Sequence, residues 1–144
     1  MYFFGTFEHS IDERGRLAIP ARYRSAFVDG GVIRPGPEGG LELYTNTGFD
    51  SQFSTRLTEA TGNDSPDARR LRRGFMSVAY PVELDKQGRI LIERQLRDSA
   101  VLTGKILIIG CGDYLELWHP DRWAEELARI AALQAEAAGS SHVV

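Results

Sequence analysis

The chain has 144 residues and a formal net charge of −3, with 42% hydrophobic and 26% charged residues, the proportions of an ordinary soluble globular protein. No window approaches the roughly 18 uninterrupted apolar residues that a membrane-spanning helix needs, so no membrane partner is expected. One cysteine, Cys111, excludes an internal disulfide and a cysteine-based metal cluster.

The opening "MYFFGTFEHS" carries no basic leader, long apolar core or small-residue cleavage signature, and is read as structural sequence of a cytoplasmic protein. Phe7, His9 and Ile11 then alternate with Glu8 and Ser10, and Leu17 and Ile19 continue the pattern beyond "DERGR". That spacing predicts a half-buried hairpin. Asp12 suits the first turn position, where a carboxylate caps backbone N–H groups, and Gly15 falls where a type I turn with a bulge needs positive φ. Pro20 favours the first turn of a short helix, "PARYRSAF". "GGVIRPGP" and "LELY" form a second strand pair, and a helix completes a first half over residues 1–60. The stretch "TGNDSPDARRLRRGF" opens with a turn cluster and a helix start. It predicts a linking helix within 61–76 that carries Arg69, Arg70, Arg72 and Arg73, as a solvated face, a subunit interface or a DNA contact.

Residues 77–138 repeat the plan. Tyr80, Val82 and Leu84 lead into "DKQGR" with Asp85 and Gly88 at the turn, and Ile90 and Ile92 follow. "ERQLRDSAVL" gives the short helix, "KILIIGCGDY" and "LELW" the second strand pair. A last helix from about Pro120 to Ala138 bears Trp123, Leu127, Ile130 and Ala131 on one stripe. Residues 139–144 are expected to be a flexible tail. Setting Asp12 on Asp85 aligns "IDERGRLAIPARYR" with "LDKQGRILIERQLR" across 73 positions. Such a duplication implies two halves that cannot bury their apolar faces separately.

Charge follows the same unevenness. Between Arg69 and Arg97 eight basic residues stand against three acids, whereas from Cys111 onward six acids stand against two bases. Fifteen of the seventeen cations are Arg, the side chain suited to bidentate contact with phosphate or guanine. His9 is read as partly buried, His119 as a start signal for the last helix and His142 as part of the tail, so the histidines show no metal spacing. A Cys111/His119 nucleophile pair lacks an oxyanion motif and an orienting third residue. Trp118 and Trp123 are expected in the core or an interface.

Two Asp-x-x-x-Arg motifs, Asp12 to Arg16 and Asp85 to Arg89, sit in matching contexts within "FFGTFEHSIDERGRLAIPARYR" and "GFMSVAYPVELDKQGRILI", with "LELW" before a final helix. Over essentially its whole length the chain resembles the MraZ family. That resemblance implies a mainly β protein with flanking helices (α+β), in which two pseudo-repeated AbrB-like swapped-hairpin halves form one compact β-barrel. It further implies a transcriptional regulator without catalysis or cofactor. Its partners would be double-stranded promoter DNA, at short direct repeats before a division and cell-wall gene cluster, and copies of itself in a ring-shaped homo-oligomer at the nucleoid. No small-molecule substrate is expected.

A β-ribbon can enter a major groove about 12 Å wide, where Arg offers two donors to guanine. Arg16 and Arg89 are the leading candidates for base contact, with Asp12, Gly15, Asp85 and Gly88 positioning the turns. Arg14, Lys86 and Gln87 on the same turns are further candidates for DNA contact, and Arg22, Arg24, Arg94 and Arg97 on the short helices are candidates for phosphate contact. The alternative from another class is a protein-binding scaffold or antitoxin-like adaptor on the same fold, without specific DNA binding.

Overall fold

The computed structural model describes residues 2–61 and 65–141. Strands β1 (Thr6–Ile11) and β2 (Arg16–Ala18) form the first hairpin, and a 3-10 helix, Ala21–Phe27, follows Pro20. Strands β3 (Gly31–Pro35) and β4 (Leu41–Thr45) lead into α1 (Asn46–Thr61). Helix α2 (Pro66–Met76) links the halves. The second half runs through β5 (Tyr80–Val82), β6 (Arg89–Leu91), α3 (Arg94–Ala100), β7 (Gly104–Gly110), β8 (Leu115–Trp118) and α4 (Pro120–Ser141).

The start of α2 is encoded locally. Ser65 Oγ accepts the Ala68 N–H at 3.1 Å and Pro66 takes the first helical position, where its missing N–H costs nothing. The turn cluster expected before it, Gly62 to Asp64, lies outside the described residues, as do His142 to Val144 of the expected tail. Gly139 to Ser141 are helical and extend α4 past the expected end at Ala138. The alanine-rich run before them propagates a helix that one glycine does not stop.

All eight strands join one antiparallel sheet in the order β5-β3-β4-β8-β7-β1-β2-β6. Its two edge strands, β5 and β6, are consecutive in the chain, so the intervening turn draws the edges together into a nearly closed barrel. Closure leaves little edge exposed for unwanted pairing. Every strand of the first half bonds to one of the second: β1 to β7, β2 to β6, β3 to β5 and β4 to β8. The halves therefore interdigitate and share one core, as the duplication suggested.

Inside the barrel Leu17, Ile19, Ile90, Ile92, Ile106 and Leu117 are completely or almost completely buried. Each such side chain contributes about 1.5–3 kcal/mol of burial. A pseudo-twofold axis passes between β2 and β6, where Leu17 pairs with Ile90 and Ala18 with Arg89. Alternation then sends Arg16, Ala18, Arg89 and Leu91 to the outer face.

A second cluster fastens α1 and α2 to the outside of the barrel through Tyr44, Phe49 and Phe75. Beside it Glu42, on β4, is buried with its carboxylate accepting from Arg34 Nη1 at 3.1 Å, Tyr44 OH at 2.8 Å and Arg56 Nη2 at 3.2 Å. The Arg34 guanidinium lies 4.2 Å from the Phe75 ring centroid, which ties α2 to the same charge cluster. Helix α4 is held less fully. Trp123 packs on buried Trp118 at 5.5 Å, but Leu127 and Leu133 farther along are exposed.

Removing one charge from a buried ionic cluster strands the others without a counter-charge. Glu42→Gln is therefore expected to lower unfolding free energy by about 3 kcal/mol, measured as a reduced urea midpoint with an unchanged transition slope.

Candidate nucleic-acid interface

Each Asp-x-x-x-Arg motif folds into the same knot. In the first turn the Gly15 N–H donates to the Asp12 carbonyl at 3.0 Å and the Asp12 N–H to the Arg16 carbonyl at 3.0 Å. Asp12 Oδ1 accepts the backbone N–H groups of Arg14 (3.0 Å) and Arg16 (2.9 Å), while Oδ2 accepts Arg16 Nε at 2.9 Å. The second turn repeats every bond. Asp85 Oδ1 accepts from Gln87 N (2.8 Å) and Arg89 N (2.9 Å), and Oδ2 from Arg89 Nε (2.8 Å). Gly15 and Gly88 have φ of +85° and +76°, a conformation that side chains rarely adopt.

The carboxylate thus spends one oxygen on the turn and the other on the recognition candidate that follows it. With Nε given to the aspartate, the two Nη groups of Arg16 and of Arg89 take no part in that bond. Their side chains are 32% and 27% exposed, so they are neither sealed in the barrel nor waving freely in solvent. Because β2 and β6 pair, the two turns are neighbours. Arg89 Nη1 lies 3.9 Å from Asp12 Oδ2, the first turn's own carboxylate.

The remaining turn residues Arg14, Lys86 and Gln87 are exposed at the loop tips. Arg22 and Arg94 are exposed too, with the Arg22 guanidinium 5.7 Å from the Phe4 ring. Arg24 and Arg97 are half-buried, and their Nε atoms donate at 3.0 Å to the carbonyls of Ile19 and Ile92. Leu91, directly opposite Arg16 and well exposed, belongs to the same surface. The sequence reading omitted it, although its place between inward-facing Ile90 and Ile92 signals an outward side chain.

Other sequence candidates fall into structural roles. His119 accepts the Asp121 N–H on Nδ1 at 3.0 Å and so caps α4. Cys111, half-buried just after β7, has its thiol pushed up to about 12, chiefly by burial and then by nearby Glu116. A protonated thiol is a poor nucleophile. Among the described residues no group of three or more His, Cys, Asp or Glu could hold a metal ion, and no helix is long and apolar enough to cross a membrane.

The carboxyls of Asp12 and Asp85 are both held below the ordinary aspartate range, first by the backbone N–H of Arg16 and Arg89 respectively, with the guanidinium bonds adding to it. A depressed folded value means the turns are fully capped above the unfolded aspartate value of about 3.9 and lose their caps as pH falls through the lower folded value. Carboxyl carbon chemical shifts should therefore titrate below 3.9 for both residues, and the Arg16 and Arg89 Nε–H signals should lose protection at the same pH.

A family model described as "MraZ protein, putative antitoxin-like" matches residues 2–74 and 75–142, one copy for each half. Proteins named transcriptional regulator MraZ are similar along most of the chain. That of Thermomicrobium roseum is 40% identical over 130 residues, 90% of each chain. That of Herpetosiphon aurantiacus is 36% identical over 129 residues, 90% of this chain and 89% of the relative. That of Roseiflexus sp. is 38% identical over 130 residues. The chain belongs to the MraZ family, and these relatives are named as transcriptional regulators.

Proposed function

We propose that the protein regulates transcription by binding short promoter repeats before a division and cell-wall gene cluster, with Arg16 and Arg89 reading bases in the major groove. The observation that carries this reading is the pair of adjacent, outward-facing arginines, each locked by its own aspartate. An Arg already held in one conformation loses less rotamer freedom on binding. Its two Nη groups can donate to guanine O6 and N7, and exposed Leu91 and half-buried Ala18 between the arginines suit a thymine methyl. Arg14, Lys86, Arg22 and Arg94 flank this surface as phosphate contacts, which set register without reading sequence. The aspartates act on the arginines, since phosphate repels them.

Two turns on a chain of net charge −3 make a weak grip at physiological salt. A ring of copies placed on successive repeats makes later contacts intramolecular, raising avidity by roughly 10²- to 10⁴-fold where the spacings agree. The exposed Leu127 and Leu133 of α4 are available for subunit contact. The protein would work in the cytoplasm, on the nucleoid.

Arg16→Ala and Arg89→Ala are each expected to weaken a promoter gel shift by about ten- to hundredfold, as for loss of one bidentate base contact, with unchanged size-exclusion behaviour. Full affinity in the double variant contradicts the assignment. Failure of the native protein to shift any repeat-containing promoter DNA at any salt concentration favours the protein-binding scaffold instead.

A further inference from the structure

Arg24 and Arg97 occupy equivalent positions in the two repeats, and each is used twice. Arg97 Nε donates to the Ile92 carbonyl at 3.0 Å, while the Ile92 N–H donates to the Gly15 carbonyl at 2.8 Å. The same guanidinium lies close against Gly15: a methyl group there would fall 2.6 Å from Arg97 Nε and 2.8 Å from its Cζ. The mirror arrangement holds the other turn. Arg24 Nε donates to the Ile19 carbonyl at 3.0 Å, the Ile19 N–H donates to the Gly88 carbonyl at 2.9 Å, and the Arg24 guanidinium covers Gly88, where a methyl group would fall 2.9 Å from its Cζ.

Each circuit therefore crosses the pseudo-twofold. The first half's turn is gripped by Ile92 and Arg97 of the second half, and the second half's turn by Ile19 and Arg24 of the first. Positive φ calls for glycine at 15 and 88, and the missing side chain lets the guanidinium approach this closely. The residue after each gripped glycine is the arginine that Asp12 or Asp85 holds from the other side.

We propose that Arg24 and Arg97 are positioning residues that act across the barrel, Arg24 fixing the turn that presents Arg89 and Arg97 fixing the turn that presents Arg16. The inference rests on the reading that Arg16 and Arg89 contact DNA. It gives Arg24 and Arg97 a role different from phosphate contact, because their Nε groups are bonded to backbone carbonyls and their guanidinium groups pack against the glycine of the opposite turn. It also makes the two recognition turns mechanically interdependent: damage to one half's short helix is felt at the other half's turn.

Lysine separates the two roles, since it keeps the charge that a phosphate needs but has neither the planar surface nor the Nε–H. Arg24→Lys is expected to weaken binding of a promoter repeat duplex by about tenfold, the scale of coupled neighbours. That factor should vanish on an Arg89→Ala background, persist on an Arg16→Ala background and leave the salt dependence unchanged. Arg97→Lys should show the opposite pairing. Native-like binding by both lysine variants, with Arg24→Ala lowering the salt slope by about 0.9 as for one lost phosphate contact, overturns the proposal.

A second measurement needs no DNA. The NMR order parameter of the Arg89 Nε–H group should fall in Arg24→Lys while that of Arg16 holds, and the reverse in Arg97→Lys; equal or absent changes at both sites overturn the clamp. Should Arg16→Ala and Arg89→Ala both bind with native affinity, the DNA reading fails and the order parameters alone decide the inference.

Discussion

A single carboxylate with two duties underlies the surface of this protein. Asp12 and Asp85 each satisfy backbone donors of a tight turn with one oxygen and hold the Nε of the next strand's arginine with the other. An exposed ion pair of this kind adds little to global stability, because solvent screens it and side-chain entropy opposes it. Its effect is on conformation: it selects one orientation for a long side chain that water would otherwise leave free. The same hydrogen bonds hold both carboxyls below the ordinary aspartate range.

That local device gains its geometry from the pairing of the halves. A lone hairpin would present one arginine on a flexible loop. Pairing β2 with β6 around Leu17 and Ile90 sets two such turns side by side and anchors both through the carbonyls of Gly15 and Gly88. The barrel interior supplies the stability, and the turns inherit its rigidity at a surface otherwise free for contact. The duplication thus yields a two-pronged surface, with the prongs differing at Glu13-Arg14 against Lys86-Gln87.

Much of this was legible because it is local or periodic. Asp12, Gly15, Asp85 and Gly88 stand at fixed turn offsets, alternation assigns Leu17 and Ile90 inward and the arginines outward, and the Ser65-Pro66 helix start is a short-range signal. What sequence could not reveal depends on distant partners. Glu42 looks like an outward strand residue facing water, and only the covering helices α1 and α2, which bring Arg56 and Phe75, make it a buried anion. Arg24 and Arg97 read as surface cations on short helices. Their grip on the opposite turns requires the β2–β6 register, although their equal spacing from the two motifs was already present in the repeat. The path of α4 beyond Trp123 follows from its own helix propensity, with Leu127 and Leu133 uncovered by the barrel.

The most direct test replaces both carboxylates by amides, Asp12→Asn with Asp85→Asn, and compares affinity for a promoter repeat duplex with affinity for an unrelated duplex at one salt concentration. Simple charge arithmetic says that removing two negative charges beside a phosphate backbone strengthens binding to both. If the carboxylates aim the arginines, unrelated DNA is bound as well or better while the promoter repeat is bound more weakly, so the ratio of the two affinities falls. An unchanged or increased ratio contradicts the account.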